Sequence, residues 1–422
     1  MNGFTFVFLI LLGTMLGLRL WLAARHIAHI ARYRAAVPAE FAAHITLEAH
    51  QKAADYSIEK TRLSMVETLA EGAFLLFITL GGALLWIDAL SANWLGTSYA
   101  RGIVTIFAVM LLSSLLFLPF DLKRTFGIEV KYGFNKMTLG LYIADAFKGM
   151  VLALLIGVPL LLVTFWLIEK MGALWWLYVW LVWLGFSLFM LAVYPTFIAP
   201  LFNKFSPLEN APLKSRIENL LARCGFRSQG LFVMDGSKRS SHGNAYFTGF
   251  GKAKRIVFFD TLIERLNPEE IEAVLAHELG HFKRKHIAKL IVSRFAIALV
   301  VLAAMGWLID KPWFYQGAGM GAAVPHIGVS VLVFFQLLPV FTFPLTPLGS
   351  LISRKHEFEA DVYAIAPDQR TRPVDGLAQT LRGQRVDAHS RPDLRQVLLF
   401  PSARQREAHA DGRLMLPAAP TP

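Results

Sequence analysis

The chain has 422 residues, of which 55% are hydrophobic and only 17% are charged, whereas soluble domains are about a quarter charged. This composition argues against an ordinary cytosolic enzyme and indicates a polytopic membrane protein. The net charge is +12, but the basic residues are spread between apolar runs instead of forming one basic face, so no nucleic-acid partner is expected. The single cysteine, Cys224, cannot form an internal disulfide and is expected to be a packed thiol.

Seven apolar segments are long enough to cross a bilayer as helices, since a span needs about 20 mostly apolar residues. Their approximate cores are residues 4–22, 69–90, 103–120, 150–168, 174–193, 290–309 and 327–351. The first segment is similar to a signal peptide, but it has no preceding basic residue and no clear cleavage site. It is therefore expected to remain as a span.

Lysine and arginine residues concentrate in the segments that follow the first, third and fifth spans. Because positively charged loops stay on the cytoplasmic side, these segments are predicted to be cytoplasmic. The connections on the opposite side contain few lysine or arginine residues beyond Arg101, Lys170 and Lys311. The N-terminus is accordingly predicted to lie on the other side of the membrane.

Residues 201–289 form the one long stretch with globular composition. A helical pattern covers residues 211–224, and short β-type runs follow at 231–234, 245–248 and 255–260. Another helix is predicted to begin at Asn267-Pro268-Glu269-Glu270, because Asn caps helices, Pro suits the first turn and acids favour the positive end. The predicted division is membrane helices in 1–200, this α/β domain in 201–289, two further spans in 290–351 and a short helix in 352–366.

The helix that follows Asn267 contains the pattern H-E-x-x-H as His277, Glu278 and His281. Positions four apart lie on one face of a helix, so both imidazoles can reach one zinc ion with the glutamate beside it. A catalytic zinc needs a third protein ligand. A third histidine six residues on is excluded because position 287 is Ile, and His286 is interpreted as part of a basic cluster at the membrane edge.

A second segment with candidate metal-site residues, 353–361, follows the last span and contains Glu357 and Asp361 four positions apart. A helix would place one carboxylate on the metal and the other where it can accept the N–H of a ligand histidine. On its own, an acidic helix at a membrane edge usually only exposes its carboxylates to water. Together with the histidine pair, the segment becomes the expected source of the third ligand.

These motifs and the seven spans resemble the integral-membrane CAAX prenyl protease family, the Ste24-type zinc metalloendopeptidases. Further matching segments are residues 55–57, 132–136, 194–204 and 237–246. The resemblance covers about residues 1–366. It implies a mainly α fold in which about seven transmembrane helices enclose a water-filled chamber, with a small α/β zinc-metalloprotease domain on the cytoplasmic side. It also implies that His277, His281 and Glu357 bind one zinc ion and that Asp361 supports a ligand.

The segment Asn244-Ala245-Tyr246 resembles the edge strand that lies beside the metal in this family. An extended substrate would pair its backbone with such an edge as an added strand. The alternative for Asn244 is a residue of a hairpin turn, which its neighbour Gly243 also favours.

The predicted reaction is peptide hydrolysis, in which zinc activates water and Glu278 transfers its proton to the leaving amine. The predicted substrate is a peptide or protein, including one modified by a prenyl or other lipid, and the surrounding partner is membrane lipid. One alternative is a transporter, for which charged residues within spans such as Asp145 or Arg294 would be the sign, although both lie near span ends. The other is a catalytically impaired relative that binds peptides.

The impaired alternative arises from residues 367–422, which hold nine Arg, no Lys and seven Pro. This stretch is expected to be disordered or poorly packed. The family continues here with a Tyr-Ser-His-Pro-Pro motif whose His is thought to help hold the reacting carbonyl, and this sequence lacks it. Codons for residues 376–402 exist that would encode a family-like run when read one base over, so a frame change in the gene is a hypothesis.

Overall fold

The structure, a computed structural model, describes residues 2–38, 42, 45–226, 228–248 and 255–365. The predicted tail, residues 367–422, lies outside this part of the chain. The described residues form fourteen α-helices: α1 (Gly3–Tyr33), α2 (Leu47–Ile78), α3 (Ala83–Leu95), α4 (Tyr99–Leu122), α5 (Glu129–Tyr132), α6 (Leu139–Lys170), α7 (Trp175–Val193), α8 (Ala211–Arg223), α9 (Asp260–Arg265), α10 (Pro268–Lys283), α11 (His286–Leu308), α12 (Pro312–Gly317), α13 (Ile327–Thr342) and α14 (Thr346–Ile365).

Within the described residues, six helical segments are long and apolar enough to cross a membrane, or seven when α2 and α3 are counted as one broken span. The six are Gly3–Tyr33, Tyr99–Tyr132, Leu139–Lys170, Gly172–Leu201, His286–Leu308 and Ile327–Ala364. Large apolar side chains on these helices are exposed, for example Leu155 on α6 and Val300 on α11. A surface of this kind is stable in lipid and not in water. The predicted multi-pass membrane fold is thereby confirmed.

The second predicted span, residues 69–90, is not one straight helix. α2 ends at Ile78, α3 begins at Ala83, and the two helices meet at 53°. Between them lie Gly81 and Gly82, and Gly82 adopts a φ of 75°, which only glycine reaches without strain. The glycine pair thus explains a bend that the hydropathy pattern alone does not reveal.

The last predicted span also differs from its expected bounds. A short 3-10 turn, Phe343–Leu345, joins α13 to α14, and α14 begins at Thr346 within the predicted span of 327–351. Pro339 and Pro344 lie at this junction and remove backbone N–H donors from the helical ladder. The segment that carries Glu357 and Asp361 therefore belongs to α14, which begins inside the predicted span and not at residue 352.

A four-stranded sheet forms the centre of the small α/β domain, with the order β1-β2-β4-β3. The strands are β1 (Phe205–Pro207), β2 (Leu231–Met234), β3 (Ala245–Thr248) and β4 (Arg255–Phe259). β2 and β4 are parallel, whereas β1 and β3 pair antiparallel at the two edges. The three predicted strands are confirmed. β1 was not predicted because it has three residues and contains Pro207, which strand patterns normally exclude.

Helix α10 has strong local reasons to form where it does. The side chain of Asn267 accepts from the backbone N–H of Glu270, and the side chain of Glu270 accepts from the backbone N–H of Asn267, which completes a capping box. Ile271, Leu275 and Leu279 recur at helical spacing and are buried in the same apolar core as α8 and the sheet. This face fixes α10 on the domain and leaves its other face for the site.

Candidate metal centre

Helices α10 and α14 approach each other very closely beside the predicted site. Ala360 is fully buried, and a Cβ added to Gly280 would lie 2.9 Å from both the Cα and the carbonyl oxygen of Ala360. The approach needs a glycine on α10, because any larger residue would push the two backbones apart. It also brings Glu357, on α14, over the face of α10 that carries the histidine pair.

The three predicted ligands lie together at this crossing. The Nε2 atoms of His277 and His281 are 3.2 Å apart, and Glu357 Oε2 is 3.6 Å from the first and 3.8 Å from the second. Donors about 2.0–2.2 Å from one zinc ion at tetrahedral angles would be about 3.4 Å apart. Two imidazoles and a carboxylate at these separations fit zinc, and the set leaves a fourth tetrahedral position for water.

Asp361 contacts His277 at the ring nitrogen that is not part of the cluster. Its Oδ1 lies 3.0 Å from His277 Nδ1, the ring nitrogen that points away from the cluster. Burial lowers the pKa of His277, but the hydrogen bonds to Asp361 and Glu357 outweigh burial and raise it to about 9. In the neutral form of the ring, which is the form that binds a metal, a carboxylate in this position keeps the proton on Nδ1 and leaves the lone pair of Nε2 directed toward the cluster.

The second histidine has a partner that sequence reasoning missed. His281 Nδ1 lies 3.1 Å from Nδ1 of His286, whose Nε2 is 3.0 Å from Glu359 Oε2. His286 is only 3% exposed and contacts His281, so its interpretation as part of a basic cluster at the membrane edge, off the ligand face, was wrong. The helical count used for that assignment does not apply, because α10 ends at Lys283 and Lys285 adopts a φ of 57° before α11 begins.

Glu278 follows His277 on the same helix turn and is half-buried. Burial raises the pKa of its carboxyl, and the charge of Glu357 raises it further, while the charge of His277 lowers it. The net result is a pKa above the ordinary glutamate value. A carboxylate with a raised pKa binds a proton more readily, which suits a group that takes a proton from water and then releases it.

The segment Asn244-Ala245-Tyr246 lies at the start of β3, which packs against α10. The carbonyl of Asn244 accepts from the backbone N–H of Phe259 over 2.9 Å, so Asn244 extends the β3–β4 ladder and is not in a hairpin turn. In the described part of the sheet, β3 pairs only with β4. β3 is therefore an edge strand of the sheet as described.

Two other motif segments meet the catalytic domain at Arg239. This guanidinium donates to Asp145 over 2.8 Å, to Asn203 Oδ1 over 2.7 Å and to the carbonyl of Phe202 over 2.7 Å. Asp145 therefore has a structural partner in the domain next to the sheet. Because this ion pair explains the charge of Asp145, that residue no longer supports a transport pathway.

The remaining motif segments complete this junction. The backbone N–H of Ser241 donates to Phe134 over 2.9 Å, and that of Lys136 donates to Arg239 over 3.0 Å. Tyr56 on α2 donates to Glu129 over 2.6 Å and packs its ring on Phe134. Segments far apart in sequence thus hold the chain that leads into β3.

Two family models together match most of the chain. One, described as the CAAX prenyl protease N-terminal domain with five membrane helices, matches residues 26–204. The other, described as peptidase family M48, matches residues 207–389. The second match extends beyond residue 366, where the resemblance was expected to end.

Individual relatives agree with the family models. The CAAX prenyl protease 1 homolog of Arabidopsis thaliana is 35% identical over 76% of this chain and 77% of its own length. CAAX prenyl protease 1 of Saccharomyces cerevisiae is 39% identical over 60% of this chain, but the match spans only 59% of the yeast protein. The crystal structure of S. mikatae Ste24p superposes with a TM-score of 0.84 at 27% identity, covering 97% of this chain and all of that one.

Proposed function

Because the chain belongs to the CAAX prenyl protease family of M48 peptidases and is therefore a membrane-embedded metallopeptidase, we propose that it hydrolyses peptide bonds at one zinc site. The proposed ligands are His277, His281 and Glu357. The observation that carries the proposal is the clustering of their three donor atoms within 4.8 Å of one another, at the crossing of two tightly packed helices.

The proposed chemistry uses the residues around these ligands. A zinc ion held there would act as a Lewis acid that polarises the scissile carbonyl and makes water more acidic. Glu278 takes a proton from the attacking water and delivers it to the leaving amine. Asp361 keeps His277 oriented and its proton on Nδ1, so that the Nε2 lone pair is directed into the site.

The proposed substrate is an extended peptide that adds to the free edge of β3. Asn244, Ala245 and Tyr246 would then pair with the substrate backbone, and the side chains of the substrate would alternate about the added strand. We propose a peptide or protein at the membrane, including one with a lipid-modified C-terminus, because the relatives are named CAAX prenyl proteases. Membrane lipid contacts the exposed apolar faces of the spans.

We also propose that the zinc domain lies on the cytoplasmic side and the N-terminus on the opposite side. The rule that positive loops stay inside supports this orientation. The segments that follow the first, third and fifth spans hold most of the lysine and arginine residues, whereas the opposite connections hold few beyond Arg101, Lys170 and Lys311.

A second candidate function is a peptide-binding relative with impaired catalysis. The sequence lacks the Tyr-Ser-His-Pro-Pro motif that the family resemblance leads one to expect, and this motif is thought to supply a histidine to the reacting carbonyl. On this alternative, zinc and peptide still bind but turnover is slow. Measuring zinc content, peptide affinity and turnover on the same preparation separates the two functions.

The decisive experiment compares the native protein in detergent with Glu278→Gln. The amide cannot act as a base, so turnover of prenylated and unmodified peptides is expected to fall by about 100-fold or more. Zinc content, measured by atomic absorption, is expected to stay at one ion per chain because Glu278 is not among the proposed ligands.

The matched control is Glu264→Gln, the same chemical change at an exposed position of α9. This variant is expected to keep both its zinc and its turnover. A native protein without zinc, or a Glu278→Gln variant with full turnover, would contradict the proposed function.

A further inference from the structure

We propose that His286 is a positioning residue for the zinc ligand His281 and that Glu359 controls which nitrogen of His286 carries the proton. This inference rests on the proposed zinc site. It assigns a role to two buried contacts, 3.1 Å between the Nδ1 atoms of the two histidines and 3.0 Å from His286 to Glu359.

The positions of the protons follow from the chemistry of the last group in this chain of contacts. An ionised carboxylate can only accept, so Nε2 of His286 must donate to Glu359. The Nδ1 atom of neutral His286 is then an acceptor, and Nδ1 of His281 donates to it. With its proton on Nδ1, His281 presents the lone pair of Nε2 to the metal, which is the form that a ligand histidine needs.

His286 is well held for this role. It is 3% exposed, and the imidazole of His356 stacks on it with ring centroids 4.1 Å apart and an angle of 13° between the planes. The left-handed turn at Lys285 starts a new helix, so the ring of His286 faces back toward His281. A ring fixed in this way orients His281 without a large entropy cost when the metal binds.

Helix α14 would then act on the site through three carboxylates at alternate positions. Glu357 binds the metal directly, Asp361 holds His277, and Glu359 holds His281 through His286. The two histidine ligands thus have equivalent support. His277 contacts a carboxylate of α14 directly, and His281 contacts one through the imidazole of His286.

The test measures zinc affinity by competition with a chromophoric chelator, using purified full-length protein stripped of metal. His286→Ala removes the acceptor for His281 and is expected to weaken zinc binding by 10- to 100-fold. His286→Asn restores an acceptor at the position of Nδ1 and is expected to recover most of that affinity. Glu359→Ala, which leaves the proton of His286 uncontrolled, is expected to give a smaller loss than His286→Ala.

The visible spectrum of the Co²⁺-loaded protein gives an independent readout of ligand geometry, and it is expected to change in His286→Ala but not in His286→Asn. His26→Ala is the matched control, because it makes the same change at an exposed position of α1 and should leave both affinity and spectrum unchanged. Equal affinity in native protein and His286→Ala, or equal losses in the Ala and Asn variants, would overturn this inference alone. A native protein that binds no zinc would overturn the proposed function as well.

Discussion

Asp361 is the residue whose contribution to the site can be measured most directly, since it touches His277 Nδ1 and is not itself among the proposed ligands. We expect Asp361→Ala to lower zinc affinity by about 10- to 100-fold, because His277 loses the acceptor that fixes its proton and its ring. Asp361→Asn keeps an acceptor oxygen and should lose less. Chelator competition on apoprotein measures both changes.

The control for these variants is Asp310→Ala, which removes a carboxylate at the far end of α11. It should bind zinc as the native protein does. If Asp361→Ala also kept native affinity, then Asp361 would have no part in holding the ligand.

The amino-acid pattern predicted His277, Glu278 and His281 because their roles depend on one helical turn. Glu357 and Asp361 needed the further assumption that a distant acidic helix meets this turn. His286 could not be found in this way, because its position depends on the left-handed residue Lys285, and lysine carries no signal for that conformation. Local spacing predicts contacts within an element, and it fails where the chain changes direction.

At the scale of elements, the crossing of α10 and α14 sets the distance between Glu357 and the two histidines of the proposed metal site. We expect Gly280→Ala to destabilise the protein by about 1–3 kcal/mol, because the new Cβ would lie 2.9 Å from backbone atoms of Ala360. This outweighs the gain of about 1 kcal/mol that alanine normally brings to a helix. Zinc affinity should fall as well, since Glu357 moves away from the histidines.

Gly149→Ala on α6 is the matched control, because a Cβ there meets no atom within 4 Å. Thermal unfolding in detergent should show a lower midpoint for Gly280→Ala and an unchanged or higher one for Gly149→Ala. A similar response of the two variants would mean that the helix crossing tolerates a side chain.

Element prediction succeeded where periodicity was sustained and failed where single residues decide the backbone path. α8, α10 and three strands lie close to their expected bounds. The break at Gly81–Gly82 and the turn at Phe343–Leu345 were missed, because glycine and proline are common within membrane helices that do not bend sharply. Which of them interrupts a helix depends on the neighbouring helices.

At the scale of the whole molecule, the proposed orientation can be tested with single cysteines. In a Cys224→Ala background, Lys214→Cys lies on the exposed side of α8 and Thr97→Cys lies between α3 and α4. In sealed cells, a membrane-impermeant maleimide should label Thr97→Cys alone, because the zinc domain is proposed to be cytoplasmic. Permeabilisation should then expose Lys214→Cys to the reagent, and labelling of Lys214→Cys in intact cells would reverse the orientation.

Helix α14 carries both an exposed apolar run and the proposed ligand Glu357, and this continuity would limit where a substrate can be cut. Leu348, Leu351 and Ile352 form the exposed aliphatic run of α14, and Glu357 follows Ile352 by five residues. At 1.5 Å per residue, the proposed ligand is about 7.5 Å along the helix from that run. An extended chain covers this distance in two or three residues. A bond cleaved here would thus lie within a few residues of any group that the substrate keeps in the bilayer. The distance of the site from the bilayer would then determine which peptide bond is cleaved.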